Sequence, residues 1–247
     1  MSGWTQEQLE QMKRALACVV PSYNAGARVR PVVARLCAML ERVIVVDDGS
    51  TDGAAQALCD LPVRLLSFPE NRGKGHALLA GFAEALREPW VEAVFVLDAD
   101  GQHDPEELPG LYEVCIERQA DLVIGARTFD KKGVPWRSRV GNQVSAAILR
   151  RVLGTDLTDT QSGYRVLSRR FAEDVVRSVP GGRYETEMAI LLKALGEGRR
   201  VMSIPIRTIY ESGNPSSHFR RIRDSYRVLW TLLRAILGAK ARRASAR

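Results

Sequence analysis

The chain has 247 residues, 45% hydrophobic and 26% charged, with a formal net charge of +7. These values are ordinary for a soluble protein with one large domain, or one domain with an appendage. No apolar run reaches the ~20 residues that a membrane-spanning helix needs, and no signal peptide is visible. The four cysteines are scattered, which is typical of core residues in a reducing compartment. We therefore expect a protein in the cytoplasm or on the cytoplasmic face of a membrane.

Apolar runs alternate with helical patterns along the chain. We predict strands over 16–20, 42–46, 63–66, 94–97 and 121–125, of which 16–20 and 94–97 are buried, and helices over 29–40, 77–87 and 105–119. Strands that alternate with helices of this length imply an α/β fold with a parallel sheet and right-handed crossovers.

Polar residues follow three of these strands directly. Because the carboxyl ends of parallel strands meet at one edge of a sheet, we expect these side chains to share a crevice. Three such ends suggest a ligand with a base, a ribose and a diphosphate. The residues are Ser22, Tyr23 and Asn24 after the first strand, Asp47 and Asp48 after the second, and Asp98, Asp100 and Gln102 after the fourth.

The pair Asp98 and Asp100 predicts a metal site. Two carboxylates at this spacing suit Mg²⁺ or Mn²⁺ held together with a substrate phosphate. The alternative is that they only cap the next helix. Asp104, followed by Pro105, already stands at that cap position, which leaves the other two carboxylates spare.

The glycine-flanked turn 71–75 carries Arg72 and Lys74. These side chains can meet phosphate charge, and the glycines allow close backbone approach; a solvated loop is the alternative. No Walker-type or Gly-x-Gly-x-x-Gly motif follows a strand, which argues against a P-loop and a dinucleotide-binding domain.

Several motifs together resemble family 2 glycosyltransferases with the GT-A fold. Their combination is similar to the dolichyl-phosphate mannose synthase and bacterial polyprenyl-phosphate sugar transferase branch of this family. The likeness covers roughly residues 16–230 of this chain. The motifs are Val20-Pro-Ser-Tyr-Asn24, Asp47-Asp-Gly-Ser50, Asn71-Arg-Gly-Lys-Gly75, Asp98-Ala-Asp-Gly-Gln-His103, Asp159-Thr-Gln-Ser-Gly-Tyr-Arg165, Tyr184-Glu-Thr-Glu187, Ile204-Pro-Ile-Arg-Thr-Ile-Tyr210 and Ser217-His-Phe-Arg220.

The resemblance implies a Rossmann-like, mostly parallel sheet with helices on both faces, and an inverting transfer of a sugar from GDP-mannose or a UDP-hexose to a polyprenyl phosphate. It places Asp48 at the nucleobase, Asp98 and Asp100 at the sugar nucleotide and the Mg²⁺ or Mn²⁺ ion, and Gln102 in the metal shell. The lipid phosphate would meet Arg127 and either Arg137 or Arg139, of which we select Arg139. The expected donor-binding set is Pro21, Tyr23, Asn24, Asp48, Arg72, Lys74, Asp98, Ala99, His218 and Arg220.

The nature of the acceptor decides which catalytic groups are needed. A phosphate acceptor is already ionised and needs cations rather than a strong base, whereas a hydroxyl acceptor requires a positioned carboxylate. Asp159 is our first candidate for that base, ahead of Glu185 and Glu187, for which the alternative is a favourable charge at a helix N-terminus. Transfer to a hydroxyl and a non-catalytic nucleotide-sugar-binding subunit remain the alternatives.

The positive charge is concentrated at the C-terminal end. Residues 219–247 carry a net charge of +8, and the preceding 218 residues sum to −1. Apolar residues from Val228 to Leu237 form one helical stripe too short to span a bilayer, which predicts a helix lying on anionic lipid. A packing or dimer helix is the alternative. Nucleic acid is a weaker candidate partner because no recognition element accompanies the charge.

These patterns divide the chain into three parts. We predict an N-terminal helical extension over 1–15, a GT-A domain over 16–217 and a basic amphipathic C-terminal helix and tail over 218–247. The expected partners are a nucleotide sugar, a polyprenyl phosphate and a peripheral membrane surface, and an oligomer is compatible with the sequence.

Overall fold

The structure, a computed structural model, describes residues 4–127, 145–151, 154–207 and Trp230. In this part of the chain, seven strands form one sheet in the order β3-β2-β1-β4-β6-β5-β7. The strands are β1 (Leu16–Ser22), β2 (Arg42–Asp47), β3 (Arg64–Ser67), β4 (Ala93–Val96), β5 (Leu122–Arg127), β6 (Arg165–Ser168) and β7 (Val201–Ile206).

The sheet is parallel except at β6. This strand runs antiparallel to both of its neighbours, β4 and β5, whereas the pairings of β1 with β2 and β4, of β2 with β3, and of β5 with β7 are parallel. The mostly parallel α/β sheet expected from the sequence is confirmed, and β6 and β7 are strands that the periodicity did not predict.

Helices cover both faces of the sheet. They are α1 (Gln6–Ala15), α2 (Val29–Met39), α3 (Lys74–Ala85), α4 (Leu108–Glu117), α5 (helical over the described residues 145–151), α6 (Arg169–Ser178) and α7 (Glu185–Gly196). Within these residues, none of the helices combines the length and the hydropathy needed to cross a bilayer.

Strand β1 shows why the sheet needs two layers of helices. Its residues are buried throughout, and successive side chains point to opposite faces. Cys18 and Val20 pack in the core with α1, α2 and α4, while Ala17 and Val19 pack in the core with α3, α6 and α7. A strand buried on both faces belongs at the centre of the sheet.

Helix α1 lies in the predicted N-terminal extension and packs against the domain. Its start has a capping box, in which Gln8 N donates to Thr5 Oγ1 at 3.2 Å and Thr5 N donates to Gln8 Oε1 at 2.8 Å. Met12 and Ala15 are buried in the core that contains β1 and α4. Trp4 Nε1 donates to Glu113 of α4 at 3.3 Å.

The predicted helix within 218–247 lies outside the described residues, apart from Trp230. That residue is helical and 45% exposed.

Candidate functional site

The polar ends of three strands meet at one edge of the sheet. Strand β1 lies between β2 and β4, and the last residue of β1, Ser22, is level with Asp47 of β2. Asp48 N donates to Ser22 O at 2.8 Å, which continues the pairing beyond the strands. The convergence that the sequence predicted is therefore present.

The direction of β6 brings another segment to the same edge. Because β6 is antiparallel, its first residue, Arg165, pairs with Val96 at the carboxyl end of β4. The loop that precedes it, residues 159–164, therefore lies beside the carboxylates that follow β4. The end of β5 reaches the same loop, because Arg127 N donates to Asp159 Oδ2 at 3.1 Å.

The turn after β1 is joined to the turn after β2. Asn24 N donates to Ser50 Oγ at 2.9 Å, and Thr51 N donates to Asn24 Oδ1 at 2.9 Å. Asn24 adopts φ of 47°, a left-handed conformation that asparagine tolerates better than most residues. The predicted donor residues Pro21, Tyr23 and Asn24 are thus positioned at this edge by strand pairing and by the joined turns.

The carboxylate of Asp48 organises the basic turn 71–75. It accepts hydrogen bonds from Arg72 N at 2.7 Å, from Gly73 N at 2.8 Å and from Asn71 Nδ2 at 2.9 Å. Burial raises the pKa of Asp48, although the bonds from Arg72 and Gly73 act in the opposite direction. The guanidinium of Arg72 lies 5.1 Å from the centre of the Phe68 ring. Arg72 and Asp48 therefore lie together, as the predicted donor site requires.

Lys74 follows in the same turn and forms two ion pairs. Its Nζ lies 2.7 Å from Asp98 Oδ1 and 3.0 Å from Glu187 Oε2. Burial alone would lower the pKa of Lys74, but the two carboxylates raise it above its usual range. Burial likewise opposes ionisation of Asp98, and Lys74 overcomes it and lowers the pKa of that carboxyl. The sequence predicted contact of Lys74 with phosphate; the structure places its charge on carboxylates.

Asp100 and Gln102 form a tight turn after Asp98 and Ala99. Gln102 N donates to Asp100 Oδ1 at 3.0 Å. Burial, together with the charge of Asp98, raises the pKa of Asp100 to about 6. Asp104 caps the next turn, since its side chain accepts from Glu106 N at 3.2 Å. Asp98 and Asp100 are therefore not needed as helix caps, in agreement with the sequence argument.

The donor set fits a hard divalent ion by its chemistry. Asp98, Asp100 and Gln102 offer two carboxylates and an amide oxygen, the ligand types that Mg²⁺ and Mn²⁺ take together with phosphate oxygens. Within the described residues, His, Cys, Asp and Glu side chains form no group of three or more that could hold a metal ion, so the candidate site depends on two carboxylates and the amide of Gln102.

Arg127 and Asp159 form a buried, two-pronged ion pair. Arg127 Nε lies 2.7 Å from Asp159 Oδ2, and Arg127 Nη2 lies 3.1 Å from Asp159 Oδ1. Asp159 is fully buried, and Arg127 lowers its pKa against the effect of burial. A carboxylate with a lowered pKa and both oxygens engaged is a weak general base. The contact favours a role for Asp159 in orienting Arg127.

Arg165 is a structural member of the site that the sequence argument missed. Its guanidinium is buried and donates to three backbone carbonyl oxygens, those of Ser162 at 2.7 Å, Glu187 at 2.7 Å and Thr160 at 3.1 Å. It therefore fastens the loop 159–164 to the first turn of α7. An arginine opening an otherwise apolar strand is the signal that could have revealed it.

Some predicted site residues lie outside the described ranges. These are Arg137 and Arg139, expected at the acceptor phosphate, and His218 and Arg220, expected at the donor diphosphate. Their placement remains a prediction. Glu185 and Glu187 open α7, and Glu187 is engaged with Lys74.

The chain is similar to known proteins over most of its length. The chain is 31% identical over 201 residues to the polyprenol monophosphomannose synthase of Mycolicibacterium smegmatis, covering 76% of this chain and 75% of that protein. It is 31% identical over 205 residues to the undecaprenyl-phosphate mannosyltransferase of Micrococcus luteus, covering 76% and 81%.

A solved structure shares the fold. It is glucosyl-3-phosphoglycerate synthase of Mycobacterium tuberculosis in complex with Mn²⁺, uridine diphosphate and phosphoglyceric acid, at a TM-score of 0.74 and 19% identity, covering 96% of this chain and 84% of that one. The likeness confirms the GT-A-type α/β fold. Residues 17–176 match the sequence profile of glycosyl transferase family 2, and the chain belongs to that family.

Proposed function

We propose that this protein transfers a sugar from a nucleoside diphosphate sugar to a polyprenyl phosphate, with Mg²⁺ or Mn²⁺ as cofactor. Support comes from the two mannosyltransferase relatives, whose names state polyprenyl acceptors. The observation that carries the proposal is the Arg127–Asp159 pair, which fixes a cation at the site edge without leaving Asp159 as a base. A phosphate acceptor needs such a cation and can react without a base.

The donor is expected to lie along the ends of β2, β1 and β4. A carboxylate offers about four lone-pair positions, and three of those on Asp48 are used by the turn 71–73. One position therefore remains for an N–H of the nucleobase. The base would be held by the same residue that orders the basic turn beside it.

The divalent ion is expected on Asp98, Asp100 and Gln102. When bound there, it would neutralise the negative charge that develops on the leaving diphosphate as the sugar C1–O bond breaks. The protein's own contribution is to present two carboxylates from one rigid turn, with Asp100 fixed by Gln102 N.

The acceptor phosphate is expected against Arg127. The Arg127 guanidinium is held in place by two hydrogen bonds to Asp159, and an oriented arginine can bind phosphate through charge-assisted hydrogen bonds. Because a phosphate monoester is ionised at neutral pH, its oxygen can attack the sugar without a general base. Transfer to a hydroxyl remains the second candidate, and the acceptor competition that closes the Discussion separates the two.

A screen followed by a transfer assay tests the proposal. Nucleotide sugars are first ranked by the thermal shift that they cause with Mn²⁺, and the best donor is then incubated with polyprenyl phosphate. We expect a lipid-linked sugar phosphate that requires Mn²⁺ or Mg²⁺ and disappears in Asp100→Asn, which should stay folded. Full activity in that variant, with an ordinary metal response, would overturn the assignment of Asp100.

A further inference from the structure

Lys74 occupies an unusual position for a residue in a predicted phosphate-binding turn. Its ammonium lies on Asp98 Oδ1, an oxygen expected to face the divalent ion, and is also bonded to Glu187. A metal ion and an ammonium cannot both bind this carboxylate closely without strong repulsion between like charges. Binding of the ion to Asp98 therefore requires the ammonium of Lys74 to move away from Asp98 or to share that carboxylate with the ion.

Within the described residues, Glu187 offers a position to which the ammonium of Lys74 can move. Glu187 Oε2 already accepts from Lys74, and the second oxygen, Oε1, is buried with no hydrogen-bond partner in the described part of the chain. A buried carboxylate oxygen without a partner is costly, so a second bond from Lys74 would be favourable. If the ammonium of Lys74 moves from Asp98 toward Glu187, it loses the ion pair with Asp98 and can bond to both carboxylate oxygens of Glu187.

Lys74, Asp98 and Glu187 form a triad, and backbone hydrogen bonds fix the chain near Lys74 and near Glu187. Gly75 N donates to Gly182 O at 2.9 Å, which ties the start of α3 to the segment before α7. Arg165 holds the carbonyl oxygen of Glu187 at 2.7 Å. Gly163 closes the remaining space, because a Cβ there would lie 2.6 Å from Asp98 Oδ2 and 3.1 Å from Lys74 Nζ. The side-chain ammonium is thus the part that can shift.

We infer that Lys74 is a positioning residue that acts as an internal counter-ion: it occupies Asp98 while the metal is absent and passes to Glu187 when the metal binds. This inference rests on the proposed function, since it assumes that Asp98 and Asp100 take the ion. Lys74 orients Asp98 before the metal binds, and it competes with the metal for that carboxylate and so weakens metal binding. Glu187 attracts the ammonium of Lys74 away from Asp98 and so limits the loss of metal affinity.

The two partners of Asp98 predict opposite effects on metal affinity. Lys74→Met removes the competitor, so binding of Mn²⁺ alone should tighten by about tenfold, the size expected for one charge-assisted contact. Glu187→Gln removes the charge that draws Lys74 away, so Mn²⁺ binding should weaken. Lys13→Met is the matched control, because Lys13 pairs with Glu10 on α1, away from this triad.

The test is a Mn²⁺ titration of the full chain without nucleotide, with free Mn²⁺ read by electron paramagnetic resonance. Melting temperatures in EDTA and in Mn²⁺ give an independent reading. Mn²⁺ should raise the melting temperature of Lys74→Met more than it raises that of the parent protein. If Lys74→Met has no cooperative melting transition, Glu187→Gln decides alone. Unchanged or weaker Mn²⁺ binding in Lys74→Met, or unchanged or tighter binding in Glu187→Gln, overturns the inference.

A further variant separates this inference from the proposed function. Asp100→Asn should lose Mn²⁺ binding whatever Lys74 does, because it removes a charged ligand at nearly constant volume. If Asp100→Asn binds Mn²⁺ as the parent does, the metal assignment itself is wrong. If Asp100→Asn loses binding while Lys74→Met fails to tighten it, only the counter-ion role is wrong.

Discussion

At the residue scale, several charged groups of the candidate site are already compensated by other side chains or by the backbone. Lys74 has two carboxylates, and Arg127 has both oxygens of Asp159. Arg165 has three carbonyl oxygens. A buried charge without such partners is expensive, so these contacts let the fold keep charges where a ligand will need them. These charged side chains are therefore held in place by the fold before any ligand binds.

The Arg127–Asp159 pair yields a prediction about the acceptor. Arg127→Lys removes the two-pronged contact and should cost about 1.5–3 kcal/mol in acceptor use, or roughly ten- to a hundredfold in kcat/KM. Affinity for the donor nucleotide should stay unchanged, because the donor is expected along β1, β2 and β4. Steady-state kinetics with polyprenyl phosphate and nucleotide titration measure the two quantities separately.

A double-mutant cycle tests whether Asp159 acts through Arg127. Asp159→Asn should reduce acceptor use about as Arg127→Lys does, and the double variant should be little worse than either, since one contact is lost in all three. Additive losses would mean that Asp159 has a separate role, such as the base expected for a hydroxyl acceptor. Loss of nucleotide binding in Arg127→Lys would place the arginine on the donor instead.

At the scale of elements, the sequence predicted the strands with strong apolar runs and missed the weaker ones. β1, β2 and β4 are buried almost throughout, and their patterns are unambiguous. β6 has four residues and opens with a buried arginine, which donates to backbone carbonyl oxygens of the preceding loop and of α7. β7 is mostly half-buried and contains Pro205 near its end, so its pattern is weak.

The parts of the site that the sequence could not predict depend on contacts between distant segments. Asp98 and Asp100 were identified because the strand that delivers them is apolar and ends abruptly. The pairing of Lys74 with Asp98 and Glu187 depends on how closely the turn 71–75 approaches the segment before α7. Nothing in the local pattern specifies that approach, and so a basic turn was interpreted as phosphate-binding.

Glycines make that approach possible, which gives a prediction for the contact between α3 and α7. A Cβ on Gly75 would lie 2.0 Å from Thr186 Oγ1 and 2.8 Å from Gly182 N. Gly75→Ala should therefore force the two elements apart, at a cost of about 1–3 kcal/mol in the free energy of unfolding. Chemical denaturation measures this loss.

Gly196 supplies the matched control on α7. It is exposed at the last position of the helix, and a Cβ there would meet nothing within 4 Å. Gly196→Ala should be neutral or should stabilise the protein by about 0.4–1 kcal/mol. If Gly75→Ala behaves like this control, the close contact of the turn with the segment before α7 is not required for the fold.

At the scale of the whole molecule, the distribution of charge predicts where the protein works. The net charge of +8 lies in residues 219–247, while the rest of the chain is nearly neutral. We propose that this segment attracts the protein to an anionic membrane surface, where a polyprenyl phosphate presents its headgroup. This electrostatic attraction should be screened by salt, with a Debye length of about 8 Å at physiological ionic strength.

Vesicle binding tests the membrane proposal. A chain truncated after Arg227 loses the apolar stripe and five basic residues, which are Arg234, Lys240, Arg242, Arg243 and Arg247. It should keep nucleotide binding and fail to sediment with anionic vesicles, whereas the full chain should sediment less as salt rises. Equal sedimentation of the two chains would show that the segment serves packing or dimer formation.

The central claim is that the acceptor is a phosphate, and a competition between acceptors tests it most directly. The enzyme is supplied with its best nucleotide sugar, Mn²⁺, and equal amounts of a polyprenyl phosphate and the corresponding polyprenol, and the products are identified by mass spectrometry. We predict that the sugar appears on the phosphate alone, because Arg127 supplies a fixed cation and Asp159 is too firmly paired to act as a base. Glycosylated polyprenol, or free sugar as the only product, would contradict the account.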